Sequence, residues 1–204
     1  PDETARKVFV VKSSDNGKTF APPTVANAES LGVCACCSLK GLAVPNGDVV
    51  ALYRAARAKA QRDMTLLVSK DGGRTFQADT LHAWNTSTCP MSSAAMLPLS
   101  QGLRIAWETR GKIFSTKYGS GWVPAPVEIS GENAKHPAMA ANGRGETLIA
   151  WAVGTGWKRG GSVAWTIIDS AGKASDERGT NDELATWSFP AAYAEANGDF
   201  VIVR

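Results

Sequence analysis

The sequence predicts an all-β fold of repeated four-stranded units, and three observations carry that prediction. Short apolar runs rich in Val, Ile, Trp and Phe recur from end to end, bounded by Gly, Asn, Asp and Pro, the pattern of strands and tight turns. A small-residue turn followed by an apolar strand returns four times: Pro45-Asn46-Gly47-Asp48 before Val49, Ser100-Gln101-Gly102 before Leu103, Gly143-Arg144-Gly145-Glu146 before Thr147, and Asn197-Gly198-Asp199 before Phe200. An eight-residue turn pattern, S-x-D-x-G-x-T-F, occurs twice, 56 residues apart.

With Gly47, Gly102, Gly145 and Gly198 as markers, the repeats are 55, 43 and 53 residues long. That is the length of one four-stranded propeller blade with variable loops. A second strand follows each of the first three hairpins, at Thr65 to Ser69, Lys112 to Thr116 and Ser162 to Ile168. Between the first of these and the strand from Asp48 to Tyr53, the Ala-rich stretch up to Arg62 reads as a loop or short turn. The fourth hairpin has no such successor, whereas Val8 to Ser13 is a strand with no hairpin before it.

The expected fold is therefore a β-propeller with four blade units, about 1–25 (completed by 186–204), 38–80, 92–126 and 136–175. Its termini would share one blade, so that no sheet edge is left open. The alternative is the C-terminal part of a six- or seven-bladed propeller whose other blades are absent or lie on another chain. A sandwich is the third arrangement.

Composition excludes several classes. At 204 residues the chain suits one sizeable core, and 44% hydrophobic with 20% charged residues rules out a disordered tail. The 22 basic and 19 acidic residues are spread along the chain, with only a modest cluster from Arg54 to Arg62, so no nucleic-acid arm is present. The longest apolar runs, such as Leu148 to Val153, are far shorter than the roughly 20 residues of a membrane span. The chain starts at Pro1 without an initiator Met or signal peptide and reads as a processed, trimmed or subcloned piece. Export is argued from the thiols instead.

The repeated turns are Ser13-Ser14-Asp15-Asn16-Gly17-Lys18-Thr19-Phe20 and Ser69-Lys70-Asp71-Gly72-Gly73-Arg74-Thr75-Phe76. In each, the Asp is expected to accept backbone N–H bonds, the Gly to take a backbone angle that a Cβ opposes, and the aromatic ring to pack between sheets. Ser13, Gly17, Thr19, Phe20 and Ser69, Gly73, Thr75, Phe76 are thus structural, and Asp15 and Asp71 are not catalytic carboxylates. A degenerate third copy, Ser115 to Trp122, keeps Ser115 and Gly119 but has Lys117 for Asp and Gly121 for Thr.

These turns resemble the Asp-box, or BNR, repeats of the sialidase-like β-propellers. Cys34-Ala35-Cys36-Cys37, followed one blade later by Cys89-Pro90 and the run to Trp107, is similar to a bacterial subgroup of sialidase-like proteins with a Cys-x-Cys-Cys motif. The resemblance covers nearly the whole chain and implies a fold more strongly than an activity.

The four cysteines fall just before two successive hairpins, so neighbouring blades can bring Cys34, Cys36, Cys37 and Cys89 into one cluster. Three fillings compete. Two disulfides, with at least one link from the triplet to Cys89, suit an exported protein, whereas adjacent Cys36 and Cys37 would be strained as a pair. A thiolate site for zinc or copper would draw on Met91, with Met64 or Met96, and on His82 as a further ligand. A redox dithiol is the third.

The sialidase resemblance implies a tyrosine nucleophile activated by glutamate, an aspartate acid/base and three arginines on the substrate carboxylate. The available side chains are Arg54, Arg57, Arg104, Arg110 and Arg144, with Tyr53, Tyr118 or Tyr193 and Glu108 or Glu195. Glu108 and Arg110 would share one face of an extended segment, within ion-pair reach. No residue matches the family's catalytic pattern, and the arginine near the first blade's start has no segment to occupy.

The leading expectation is a non-catalytic propeller, secreted or periplasmic, that binds a glycan or protein ligand or serves as a scaffold without a cofactor. Its candidate ligand face holds Glu108, Arg110, His136, which opens an inner strand, and Trp157, a ring beside Gly156 and two cationic residues. Trp107 and Trp151, which end equivalent strands, are expected to pack between blades.

Overall fold

The computed structural model describes residues 3–28, 30–58, 60–86, 88–119, 123–180 and 183–204. The chain forms two compact units, Pro1–Met91 and Ser92–Arg204.

Unit 1 opens with a short 3-10 turn, Glu3–Ala5, followed by β1 (Phe9–Val10), β2 (Thr24–Val25) and β3 (Gly32–Val33). Then come β4 (Lys40–Ala43), β5 (Val49–Ala56), β6 (Met64–Ser69) and β7 (Gln77–His82). β4 to β7 are an antiparallel meander. β5 is longer than β4, and the free end of β5 pairs with β3, Gly32 opposite Ala56 and Val33 opposite Ala55. The Ala-rich stretch expected as loop thus continues the strand to Ala56. Small side chains there let β3 cross close by, and Ala55 and Ala56 are fully buried.

Unit 2 contains β8 (Ala94–Pro98), β9 (Leu103–Thr109), β10 (Lys112–Tyr118) and β11 (Val127–Glu128), hydrogen-bonded in that order. A second four-stranded meander follows, of β12 (Ala134–Ala141), β13 (Thr147–Val153), β14 (Ser162–Ile168) and β15 (Arg178–Gly179). The unit ends in the hairpin of β16 (Ala191–Ala194) and β17 (Phe200–Val203), a two-stranded sheet like that of β1 and β2 in unit 1. The strand expected from Val8 to Ser13 is only two residues long, because the S-x-D-x-G-x-T-F turn begins at Ser13 and ends the regular backbone early.

The marker glycines all take left-handed backbones, with φ of +91° at Gly47, +91° at Gly102, +79° at Gly145 and +90° at Gly198. A Cβ opposes that conformation, which explains why the repeat shows most clearly at glycine. Gly47, Gly102 and Gly145 are each followed by a strand buried along nearly its whole length, and Gly198 by β17. In unit 2 a cluster of Ala106, Ile113, Ala134, Ile149, Trp151, Ala164 and Ile168 packs the β8–β11 sheet on the β12–β15 sheet. Trp107 and Trp151 are fully buried; Trp151 packs between the two sheets as expected, while Trp107 stacks on Phe114 of its own sheet.

The two complete turns have one hydrogen-bond pattern. Asp15 accepts from the backbone N–H and hydroxyl of Thr19, and Ser13 Oγ accepts from Gly17 N–H. Asp71 accepts from the N–H of Arg74 and from the N–H and hydroxyl of Thr75, and Ser69 Oγ accepts from Gly73 N–H. These bonds stabilise the carboxylates, so Asp15 is held down at about 2, led by the Thr19 hydroxyl, and Asp71 lies lower still for the matching reason. The aromatic ends differ. Phe76 packs on the unit 1 core, but Phe20 is exposed, so the expectation that both rings pack between sheets fails at Phe20. The degenerate copy is not a turn at its start, because Ser115 to Tyr118 continue β10. Gly121 and Trp122 lie outside the described residues.

Candidate functional site

In unit 1 the chemistry collects between β3 and β4, and in unit 2 on β12, between β13 and β14 and between β15 and β16. In unit 1, β3 continues into Cys34, whose N–H donates to Arg54 C=O at 2.9 Å. A turn over Ala35 and Cys36 then folds the chain back, and Glu3 Oε1 accepts the Ala35 N–H at 3.1 Å. Three sulfurs result, all within 4.8 Å of one another. Cys34 Sγ is 3.1 Å from Cys37 Sγ and 3.4 Å from Cys36 Sγ. Cys36 is disulfide-bonded to Cys89 across 53 residues, so the expected link from the triplet to Cys89 is present. Cys34 is buried, and Cys36 and Cys89 are exposed.

A hydrogen bond from Cys37 holds the Cys34 thiol down at about 6. Burial opposes this, the Cys36 N–H supports it, and the nearby charges of Glu3 and Arg62 pull in opposite directions. Those charges belong to a network beside the cluster. Arg62 donates to Glu3 Oε2 at 2.9 Å, and Arg6 to Glu3 Oε1 at 3.0 Å. A metal at Cys36 and the Cys36–Cys89 bond exclude each other, because a sulfur in a disulfide offers no thiolate. Of the further donors considered, His82 ends β7 opposite Met64, and Met91 is 43% exposed with φ +45°.

Unit 2 presents rings instead of thiols. Trp157 and Trp187 are 65% and 55% exposed and meet edge to face at 4.7 Å. Phe189, also exposed, lies 4.1 Å from the His136 ring, and His136 Nδ1 is 3.0 Å from Ser93 Oγ. Burial, with help from Lys135, pushes His136 below the usual histidine range, so the ring is held neutral. The loop carrying Trp157 is locked to the segment before Trp187. Gly161 and Leu184 exchange two backbone hydrogen bonds, of 2.8 and 2.6 Å. A Cβ on Gly160 would run into the Leu184 carbonyl. His136 and Trp187 also carry side chains in left-handed backbones, φ +55° and +67°, each costing about 1–3 kcal/mol. That strain is retained only where the surrounding structure enforces it.

Sequence reasoning singled out Trp157 and His136 but not their ring neighbours Trp187 and Phe189. The signal was present: Ser93, His136 and Phe189 each stand nine residues before their marker glycine, so they hold one position in three repeats. The same register places Cys34 and Cys89 each thirteen residues before theirs. A second missed signal is Cys34-x-x-Cys37, the redox-dithiol spacing hidden inside Cys-x-Cys-Cys.

Most of the glycosidase candidates are engaged within the fold, although Tyr193 is 50% exposed. Tyr53 is buried and pushed up to about 12 by that burial, the reverse of an activated nucleophile. Arg54 is buried, donates to Arg62 C=O at 2.8 Å and lies 4.9 Å above the Trp84 ring. Arg104 is buried on β9 with Nη1 on Ser115 Oγ, and Tyr118 is buried on β10. Glu108 is buried and accepts the Gly111 N–H at 2.7 Å. Arg110 sits in that hairpin turn at φ +57°, so the extended face it was expected to share with Glu108 ends before it. Arg144 instead braces the last hairpin, donating to Gly198 C=O at 2.7 Å.

No family model and no curated protein matches the chain. Solved structures do. An α-L-arabinanase of Penicillium chrysogenum complexed with arabinobiose matches at a TM-score of 0.63 and 13% identity, over 100% of this chain and 68% of that one. The GH93 α-L-arabinofuranosidase of Fusarium graminearum gives 0.66 and 12%, with the same coverages. NanB sialidase from Streptococcus pneumoniae gives 0.62 and 13%, over 95% of this chain but 32% of that one. The class defined is thus the fold of the β-propeller glycosidases. At such identities the likeness extends to the fold alone, and the chain spans about two thirds of the fungal enzymes and a third of the pneumococcal one.

Proposed function

We propose that this chain is a non-catalytic carbohydrate-binding propeller domain of an exported protein, with the ligand seated on Trp157, Trp187 and Phe189. The observation that carries this reading is the exposed Trp157–Trp187 pair. Burying one aromatic side chain is worth about 1.5–3 kcal/mol, so two adjacent exposed rings on a locked loop forgo stabilisation that a binding surface recovers. A sugar ring offers an apolar C–H face to such rings and hydroxyls to groups such as neutral His136. Lys158 and Arg159, exposed beside Trp157, favour acidic sugars. The structural neighbours act on or bind carbohydrate, and burial of Tyr53, Tyr118, Arg54 and Arg104 supports binding without turnover.

Export to the periplasm or the outside is supported by Cys36–Cys89, which suits an oxidising compartment. For the architecture, we propose that the two-stranded sheets β1–β2 and β16–β17 are halves of blades. Either they complete one shared blade, or blades outside this sequence complete them. A coverage of 68% equals about four units in six and supports the second. Slow hydrogen exchange at β17 amides facing away from β16, in this chain alone, would establish the first.

Titration with arabino-oligosaccharides and sialyllactose, read by tryptophan fluorescence and calorimetry, tests the ligand. Binding that is lost in Trp157→Ala and Trp187→Ala supports the reading. Absence of binding to any oligosaccharide on a broad glycan array overturns it, and release of sugar overturns the non-catalytic part.

A further inference from the structure

The sulfurs of unit 1 carry a second chemistry that does not depend on the carbohydrate reading. We propose that Cys34, Cys36, Cys37 and Cys89 form a thiol–disulfide exchange centre, in which Cys34 displaces Cys89 from Cys36 and Cys37 then displaces Cys36 from Cys34. The attacking sulfur lies 3.4 Å from the bonded one, and the resolving sulfur 3.1 Å from the attacking one. Exchange proceeds by attack of a thiolate on a disulfide sulfur, so contact between the three sulfurs in this order is its geometric requirement.

In the first step the Cys34 thiolate gives an electron pair to Cys36 Sγ. The Cys34–Cys36 bond forms, the Cys36–Cys89 bond breaks, and Cys89 leaves as a thiolate. In the second, the Cys37 thiolate attacks Cys34 Sγ, the Cys34–Cys37 bond forms and Cys36 leaves. The two protons given up by Cys34 and Cys37 are taken up by Cys89 and Cys36. One disulfide and two thiols stand on each side, so neither oxidant nor reductant is consumed.

Burial decides what each isomer presents. Cys34 is 2% exposed, so thiols in solution do not reach the attacking sulfur and the exchange is internal. Cys36 and Cys89 are exposed, so the product is a surface dithiol that has taken two electrons from Cys34 and Cys37, now a C-x-x-C disulfide behind it. The substrate class for that dithiol is a low-molecular-weight or protein disulfide. Reaction with one such disulfide, RSSR, re-forms Cys36–Cys89 and releases two RSH, leaving both cysteine pairs oxidised. Cys34 and Cys89 hold the same position in successive repeats, so two repeats compete for the one sulfur of Cys36.

The test is peptide mapping of the full chain, poised with one disulfide, acid-quenched and alkylated before and after reduction, with oxidised glutathione as the external probe. Wild type is expected to show both Cys36–Cys89 and Cys34–Cys37, and to yield two glutathione thiols per chain. Cys34→Ser is expected to hold Cys36–Cys89 alone and lose all label from Cys89. Cys37→Ser stops at Cys34–Cys36 with Cys89 labelled, and it supplies the reading if Cys34→Ser lowers the thermal midpoint enough to unfold unit 1. Wild type that keeps only Cys36–Cys89, with Cys34 and Cys37 both labelled after equilibration, overturns the proposal. So does a one-disulfide chain that releases no thiol from oxidised glutathione, or an equivalent of zinc or copper held by the thiols.

Discussion

Unit 1 and unit 2 spend the same part of the repeat on different chemistry. Ahead of the marker glycine, unit 1 places Cys34, Cys36 and Cys37 beside the Glu3–Arg62 pair, whereas unit 2 places His136 and Phe189, with Trp187 two residues earlier. The meanders behind these segments have one pattern, with buried second strands in both. The difference shows how a repeat fold separates its tasks. The strands after Gly47, Gly102 and Gly145 are held by burial and tolerate little, while the segment before the glycine carries thiols in one copy and rings in another.

The largest effect that would sharpen this contrast comes from the buried half of the repeat. Trp151→Ala is expected to cost about 3–5 kcal/mol, read as a fall in unfolding free energy in denaturant, because the ring fills the core between two sheets. A small loss would mean that the buried strands are not what holds unit 2.

Next comes the staple. Joint replacement of Cys36 and Cys89 by Ser is expected to cost about 2–4 kcal/mol. Hydrogen exchange should report the loss in β4 to β7 and leave β12 to β14 unchanged, and equal loss in both would break the division into two units. Gly160→Ala is expected to cost about 0.5–3 kcal/mol and to quench the circular-dichroism couplet of the Trp157–Trp187 pair, because the new methyl group meets the Leu184 carbonyl.

An acid titration separates the turns from both sites. Asp15 ionises near 2 when folded, below its ordinary 3.8, so the anion favours the folded turn. That contribution is full above about pH 4 and is lost as pH falls through about 2. Asp15→Asn should therefore flatten the thermal midpoint between pH 4 and 2. The smallest effect on stability is that of Trp157→Ala, within about 0.5 kcal/mol, although this substitution should abolish carbohydrate binding. A large loss of stability there would identify the ring as packing.

Much of the fold was legible because its determinants are local. A left-handed glycine in each hairpin turn and the Asp-centred hydrogen bonds at Asp15 and Asp71 act over a few residues, so the strands after Gly102, Gly145 and Gly198 began where expected. The end of β5 was not legible, since Ala55 and Ala56 are strand only because β3 pairs there. Phe20 and Phe76 end identical patterns, yet one is exposed and the other packed, a difference set by what lies opposite each turn. The burial of Tyr53, Arg54, Arg104 and Glu108 was not legible for a related reason: the alternation of a strand does not reveal that both faces of β5 and β9 are covered.

By itself, then, the sequence determined an all-β chain of repeated meanders, the turns that punctuate it, and cysteines able to gather into one cluster, because spacing and turn chemistry are properties of the chain. The tertiary structure alone decided that Cys36 bonds Cys89 while Cys34 faces Cys37, that Tyr53, Arg54 and Glu108 are buried, and that Trp187 joins Trp157 in solvent. Each of these depends on which distant segments meet, and a meeting across thirty or fifty residues leaves no local mark on the residues that make it.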